Sequence, residues 1–268
     1  MIRDITIGQY YPAESVIHRL DPRVKLVGTL TSIISLFLHR SFLMYLVAAV
    51  FLTIVIKASK VPFRFMIKGL KAIMVLLLIT VVFNMFLTPG TPLIRIWKLT
   101  LTVEGVKQAA FMAIRLAFLI VGSSVMTLTT TPNHLTDGME KGLAPLNKLH
   151  VPVHEVSMIM SIALRFIPIL LEETDKIMKA QEARGADFDS GNLIQKAKSL
   201  VPLLVPLFIS AFRRANDLAM AMEARGYRGG EGRTKMKPLI YQKRDRMAYG
   251  VLLGYLAVMI LVGQFAPF

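Results

Sequence analysis

The sequence predicts an all-α polytopic membrane protein with about five transmembrane helices and a cytoplasmic or interfacial domain of long amphipathic helices. Hydrophobic residues make up 54% of the 268 residues, more than soluble domains usually contain. They gather in five apolar runs, while the 32 Lys and Arg, against 17 Asp and Glu, lie largely between those runs. This placement favours a membrane topology over nucleic-acid binding, although the net charge is +15. Cysteine is absent, which excludes disulfides, thiolate metal ligands and thiol nucleophiles.

Four of the apolar runs predict a membrane domain over residues 1–130. The predicted spans are residues 24–38, 42–56, 69–87 and 106–130. The first two are short against the roughly 20 residues that cross the hydrocarbon core, so we interpret them as a tight, tilted hairpin. Lys25 and Lys57 lie at its far ends, and His39 and Arg40 lie at its turn. All four side chains are expected to extend to lipid head groups, which favours this hairpin over the alternative of a re-entrant pair. The segment before the first span lacks the continuous apolar core of an export signal, so insertion is expected to depend on the spans.

The distribution of Lys and Arg predicts which side of the membrane each connecting segment occupies. The linker between the second and third spans contains no acid and five basic residues, Lys57, Lys60, Arg64, Lys68 and Lys71. It is therefore predicted to be cytoplasmic. Alternation then places the amino terminus inside and residues 88–105 outside. A fifth span at residues 247–263, within a carboxyl-terminal segment 247–268, leaves the carboxyl terminus outside.

The segment between the fourth and fifth spans, residues 131–246, is too long for a connector and predicts a cytoplasmic domain. Two long helices are expected in it, over residues 155–182 and 197–223. Each begins apolar and becomes charged toward its carboxyl end. Such helices are predicted to lie at the membrane interface and to point into the cytoplasm.

The most specific feature of this domain is a repeated helix end. The sequence Glu-Ala-Arg-Gly closes both long helices with a separation of 41 residues, as Glu182, Ala183, Arg184 and Gly185, and as Glu223, Ala224, Arg225 and Gly226. Glycine after a last helical turn readily adopts a left-handed carboxyl cap, which holds the preceding arginine at a defined place. The planar guanidinium suits bidentate recognition of a carboxylate. Two copies favour docking to two acidic partner grooves over the alternative that each is an ordinary cap.

Paired Ala-Arg-Gly motifs on long cytoplasmic helices, four amino-terminal spans and one carboxyl-terminal span resemble the transmembrane T component of energy-coupling factor (ECF) transporters. The string His-Arg-Leu-Asp-Pro-Arg-Val-Lys-Leu at residues 18–26 is similar to that family's approach to its first span. The resemblance covers essentially the whole chain.

The resemblance implies a subunit of an ABC-type importer in the plasma membrane of a prokaryote. It implies that this subunit joins two ABC ATPases to a separate substrate-binding S component. In that family the motif arginine inserts into a groove on an ATPase, which carries over to Arg184 and Arg225. The other motif positions are Ala183, Gly185, Ala224 and Gly226. ATP would be bound by the partners, so this chain is expected to hold no cofactor and to have no catalytic residues. Movement of the two coupling helices would reorient the S component and release a vitamin or other micronutrient.

The turns that precede the two motifs differ in charge. Glu172 and Glu173 on the first helix align with Arg213 and Arg214 on the second, so the two ATPases are expected to be non-equivalent. Candidate contacts of the coupling helices are Glu182, Glu223, Arg213 and Arg214.

Other candidate sites rest on weaker patterns. Arg115 lies nine residues into the fourth apolar run and is a candidate contact with the S component. We favour the alternative that the helix begins later and that this side chain extends outward. His150 and His154 have a spacing seen in metal sites, but Pro152 disfavours a helix through them and no third ligand is evident, so no metal site is predicted.

Two other classes of function stay open as alternatives. A self-sufficient permease would need polar residues at mid-membrane, and the spans offer mainly Ser, Thr and Asn84. A membrane enzyme would need clustered acids, histidines or a nucleophile motif, and none stands out. The glycine cluster at residues 226–232 lacks the lysine and hydroxyl of an ATP-binding loop, so hydrolysis is expected on partners.

Overall fold

The computed structural model describes residues 10–38, 41–96, 99–188, 192–230, 236 and 238–265. Over these ranges the chain is largely helical, which confirms the all-α prediction. The helices are α1 (Pro22–Leu38), α2 (Phe42–Ser59), α3 (Phe63–Leu87), α4 (Val103–Thr129), α5 (Pro132–Leu143), α6 (Val153–Glu182), α7 (Leu193–Ser199), α8 (Val201–Ala224) and α9 (Lys243–Phe265). A short 3₁₀ helix (Ala144–Leu149) precedes α6, and strands β1 (Pro92–Ile96) and β2 (Leu99–Thr102) precede α4.

The predicted spans lie in α1, α2, α3, α4 and α9, but length and composition select a slightly different set. α2, α4, α6 and α9 are long and apolar enough to cross a membrane, and α3 qualifies as a bent pair, Phe63–Lys71 and Ile73–Leu87, with an angle of 60°. α1 has 17 residues. This corresponds to about 26 Å of helix, less than the roughly 30 Å of a hydrocarbon core. α6 joins the set because Arg165 is the one charged residue between Glu155 and Glu172.

The structure divides into two compact units between Lys141 and Gly142 and again between Pro238 and Leu239. One unit holds α1 to α4, the strands, most of α5, and α9, whereas the other holds α6, α7 and α8. Both ends of the predicted domain at 131–246 therefore belong to the unit of the spans. The Lys141 ammonium, for example, donates a 3.2 Å hydrogen bond to the carbonyl of Leu239. The cytoplasmic location of the second unit stays a prediction.

The unit of the spans is held together by small apolar clusters between its helices. Met66 and Val125 are buried where α3 packs on α4, and Met44 packs with Tyr255 where α2 meets α9. The rings of Phe51 and Tyr255 stack with their centroids 4.1 Å apart. Many other apolar side chains on these helices are exposed. This combination is expected of helices whose outer faces contact lipid.

Arg115 lies in the middle of α4 and is buried, so the prediction that this helix begins later is wrong. α4 begins at Val103 because the side chain of Thr102 caps its first turn. The Nε of Arg115 donates a 3.1 Å hydrogen bond to the hydroxyl of Tyr45, and the guanidinium lies 5.1 Å from the ring centroid of Phe37. This side chain is accommodated inside its own unit instead of extending to head groups. Its contact with an S component stays a prediction.

An antiparallel hairpin, which the sequence analysis does not predict, occupies part of the segment between α3 and α4. β1 and β2 pair from Pro92 with Thr102 to Ile96 with Leu99. The hydroxyl of Thr102 donates a 2.8 Å hydrogen bond to the carbonyl of Thr88, which ties the hairpin to the end of α3. The alternation of Leu and Thr in β2 is a signal of a two-faced strand.

In the second unit, the second long helix begins later than predicted. The chain forms the short helix α7 and then α8 from Val201, instead of one helix over residues 197–223. Pro202 lies in the first turn of α8, where a missing amide hydrogen is tolerated. In a continuous helix, the same proline would remove the hydrogen bond to the carbonyl of Lys198.

Candidate functional site

The helix end at the first motif is a hydrogen-bonded glycine cap. The amide of Ala186 donates to the carbonyl of Gln181 at 3.0 Å, and the amide of Gly185 donates to the carbonyl of Glu182 at 2.9 Å. Gly185 has a φ of +89°. These two bonds with a left-handed glycine form a Schellman cap. The prediction of a glycine carboxyl cap is confirmed at this end.

The second motif repeats this geometry at the end of α8. The amide of Tyr227 donates to the carbonyl of Met222 at 3.0 Å, and the amide of Gly226 donates to the carbonyl of Glu223 at 2.8 Å. Gly226 has a φ of +69°. Each of these residues lies 41 positions after its counterpart in the first motif. The repeat in the sequence is therefore also a repeat in backbone structure.

Both motifs are open to a partner surface. Ala183, Arg184, Ala224 and Arg225 are all exposed. Apart from the glycine itself and its two chain neighbours, no described residue has an atom within 4 Å of the position that a Cβ would take at either motif glycine. The two arginines are therefore placed on exposed helix ends with space beside them.

The two long helices meet at another pair of repeat-related positions. The Nη2 of Arg214 on α8 lies 2.9 Å from the Oε2 of Glu173 on α6, with side chains 38% and 24% exposed. These residues are themselves 41 positions apart. Each motif arginine lies 11 residues beyond its member of this pair. The ion pair thus marks a contact between α6 and α8, here called the crossing, from which the two motif arginines are equally far along their helices.

The other candidate contacts of the coupling helices differ in their surroundings. Glu182, Glu223 and Arg213 are exposed. Arg214 is instead held by the ion pair with Glu173, so it serves the contact between α6 and α8. Of the opposite charges that the sequence aligns here, Glu173 and Arg214 are therefore complementary in space.

An open groove lies beside the second motif. Its volume is about 550 Å³, and it runs between the first half of α6 and the last turns of α8. Met158, Ile162, Leu218 and Met222 contribute apolar lining. The charged lining consists of the arginines at positions 165, 225 and 228. The sequence analysis identified Arg225 but missed the other two, although Arg165 stands out as a lone charge in an apolar stretch.

A buried polar network, which the sequence did not indicate, lies at the approach to the first span. Asp245 is 1% exposed, and its carboxylate accepts hydrogen bonds from the amides of Asp21 at 2.9 Å and Gln242 at 2.7 Å. The guanidinium of Arg23 donates to the Asp21 carboxylate at 3.0 and 2.8 Å. Burial alone would raise the pKa of Asp21, but the hydrogen bonds and charge of Arg23 outweigh it and hold this pKa below its ordinary value. This network joins the start of α1 to the start of α9.

Lys25 belongs to the same region. The prediction that its side chain extends to lipid head groups is wrong. Its ammonium is buried and donates to the carbonyl of Thr129 at 2.8 Å and to that of His18 at 3.2 Å. These two hydrogen bonds satisfy the ammonium inside the protein, so the side chain does not need to extend to the membrane interface for polar partners. His39 and Arg40, for which the same role was expected, lie outside the described residues.

No group of three or more His, Asp or Glu side chains among the described residues could hold a metal ion. His150 follows the 3₁₀ helix with a φ of +59°, and His154 lies in the first turn of α6. The two imidazoles therefore do not share one helix.

The fold and the paired helix ends together define a multi-pass α-helical membrane protein that presents two matched, exposed arginines. A family model described as cobalt transport protein, CbiQ, matches residues 13–236. A relative from Clostridium kluyveri is 59% identical over 264 residues, which cover 97% of each chain. A relative from Thermosediminibacter oceani is 53% identical over 98% of this chain and 99% of its own. One from Bacillus subtilis is 48% identical over 91% of this chain and 93% of its own.

These three relatives are named energy-coupling factor transporter transmembrane protein EcfT. The chain belongs to the CbiQ family and is a transmembrane component of energy-coupling factor transporters.

Proposed function

We propose that this subunit couples ATP binding and hydrolysis on two cytoplasmic ABC ATPases to reorientation of a substrate-binding S component, and so drives uptake of a vitamin or other micronutrient. Arg184 and Arg225 are the docking residues, with Ala183, Gly185, Ala224 and Gly226 shaping the two helix ends. The ATPases bind the ATP, and this chain itself uses no cofactor. It works in the plasma membrane of a prokaryote with its amino terminus in the cytoplasm and its carboxyl terminus outside.

The observation that carries this proposal is the repetition of one cap geometry on two crossing helices. A single arginine before a glycine cap is common and would have little weight. Two exposed copies with matching hydrogen bonds suit two related partner surfaces. An arginine fork before each cap suits a partner carboxylate, because it donates two parallel hydrogen bonds.

The crossing suggests how movement of the ATPases reaches the rest of the complex. Each motif arginine lies 11 residues beyond the pair of Glu173 and Arg214. This distance corresponds to roughly 16 Å of helix on each arm. When ATP draws the ATPases together, the arms move with them, and the crossing turns this movement into a change of angle between α6 and α8. The S component responds to that change.

The docking role is tested by reversing the charge of each arginine. Arg184→Glu and Arg225→Glu should each release one ATPase, and the double variant should release both, because like charges would meet in an acidic groove. The measurement is the stoichiometry of each ATPase that co-purifies with the tagged subunit in mild detergent. Arg213→Glu is the matched control, since Arg213 is an exposed arginine on α8 outside the motif.

The control should keep both ATPases, although it is expected to lower the amount of substrate transported per ATP hydrolysed. If the double variant keeps both ATPases at the parent stoichiometry, the docking proposal is wrong.

A further inference from the structure

We infer that the two docking ends recognise different chemistry: the end of α8 binds an ATPase surface with at least two carboxylates, while the end of α6 binds a surface that needs only one. The inference rests on the proposed docking function, and it assigns Arg165 and Arg228 as additional docking residues at the second end. Neither residue belongs to the repeated motif.

The groove beside the second motif supplies the first argument. Three exposed arginines, at positions 165, 225 and 228, line it together with apolar side chains. No Asp or Glu is among its lining residues within the described part of the chain. A partner segment that fills this groove must therefore offer negative charge along with apolar contact, since covering three arginines without partner anions would bury unpaired charge.

The repeat makes a position-by-position comparison with the first end possible. Because α6 and α8 meet at repeat-related residues, a position on one helix has its counterpart 41 residues away on the other. The counterpart of Arg228 is Asp187, and the counterpart of Arg165 is Pro206. At the groove positions, the second end thus carries three arginines, whereas the equivalent positions of the first end are Arg184, Asp187 and Pro206. The motifs match, but their surroundings do not.

Other charged residues near the two ends lie outside the groove lining. Lys176 before the first motif has Asp217 as its counterpart, so the charge difference exists at the groove positions and not over the helix ends as a whole. Glu182 and Glu223 are counterparts of each other and contribute equally to both ends. Lys179 is exposed on the last turn of α6, but its counterpart, Met220, is not among the groove residues. Residues 218, 222 and 225 form the groove face of α8, and position 220 lies on another side of the helix. The charge difference therefore belongs to the face that a docked partner would touch.

This difference predicts that the two ATPases respond differently to salt. Exposed charges are screened as the Debye length falls from about 10 Å at 0.1 M salt to about 3 Å at 1 M. The ATPase on the second end should dissociate more steeply with rising salt than the ATPase on the first end. The absence of cysteine allows the two ATPases to be assigned to their ends by crosslinking from single cysteines, introduced as Ala186→Cys and Tyr227→Cys.

The decisive variant is Arg165→Gln with Arg228→Gln, which keeps Arg225. In this variant, the affinity for the ATPase at the second end should fall roughly three- to tenfold at low salt. This is the loss of affinity expected when two exposed ion pairs are removed. The difference should vanish at high salt, and the ATPase at the first end should be unaffected. A control variant, Lys148→Gln with Lys176→Gln, removes two exposed cations of the same unit outside the groove and should leave both affinities unchanged.

The outcomes separate the inference from the proposal on which it rests. If Arg225→Glu releases its ATPase but the groove variant keeps the parent affinity and salt dependence, the inference is wrong and the docking function stands. If the Arg184→Glu and Arg225→Glu double variant keeps both ATPases, the docking function and the inference both fail. A groove variant that weakens both ATPases equally would also overturn the inference, because the asymmetry would be absent.

Discussion

Replacing the motif glycines by alanine should weaken the two caps to different extents. Gly185 has a φ of +89° and Gly226 a φ of +69°. Residues with a Cβ reach the left-handed region only near φ of about +50 to +70°. Beyond the two chain neighbours, no described residue has an atom within 4 Å of either added methyl group, so the cost is one of local backbone conformation. Gly226→Ala stays at the edge of the allowed region, whereas Gly185→Ala lies outside it.

The size of the effect follows from the cost of a left-handed alanine. That cost is about 1–2 kcal/mol, which corresponds to a factor of about 5 to 30 in the population of the intact cap. We place Gly226→Ala near the lower value and Gly185→Ala near the upper one. The affinity of the docked ATPase falls at most by the same factor, since it binds the intact fraction. Gly142→Ala is the control, because that residue is helical, exposed and equally free of neighbours.

Two measurements test this prediction: thermal unfolding in detergent, and titration of each ATPase onto the purified subunit. Gly142→Ala should be neutral or stabilise the protein by up to about 1 kcal/mol, because alanine favours helix. Gly185→Ala should lower the unfolding temperature and the affinity more than Gly226→Ala does. Equal behaviour of all three variants would refute the assignment of the caps as the feature that holds the arginines.

Three further predictions concern the polar contacts. Asp245→Ala should destabilise the subunit by about 1–3 kcal/mol for each buried amide it leaves without an acceptor, seen as a lower unfolding temperature than that of the parent. Glu173→Arg should impair transport while changing stability by less than about 1 kcal/mol. Adding Arg214→Glu should restore transport if the pair sets the crossing, and lack of rescue would argue against it. Because the pKa of Asp21 is lowered in the folded protein, its contribution to stability is present above the ordinary carboxyl pKa and is lost as the pH falls through the lowered value. Asp21→Asn should remove that part of the acid dependence in unfolding experiments across this pH range, and an unchanged acid profile would contradict the assignment.

The candidate docking residues could be identified from sequence because their signal is local and repeated. Four identical residues at each helix end, at a constant separation, indicated both the glycine caps and the exposed arginines. Arg165 and Arg228 were missed because they belong to no repeated string. They can be recognised as candidate site residues only from the structure, in which they line the same groove as Arg225.

The buried cations were misjudged for a related reason. From composition alone, Lys25 and Arg115 in apolar runs are expected to extend toward water or lipid head groups. Each instead finds a partner far away in the chain: Thr129 lies 104 residues after Lys25, and Tyr45 lies 70 residues before Arg115. A sequence pattern within one helix carries no information about such partners.

By itself, the sequence determined that the protein is helical and membrane-embedded, where its apolar runs lie, and that two helices end in glycine caps. These properties depend on neighbouring residues: the length of an apolar run sets a span, and the lack of a Cβ permits a left-handed cap. Only the tertiary structure decided that Glu173 meets Arg214 and that Asp245 holds the amide of Asp21, 224 residues away. Those contacts depend on how the helices pack. Burying a charged or polar group costs free energy unless a partner forms a hydrogen bond with it, and here the partner comes from another element.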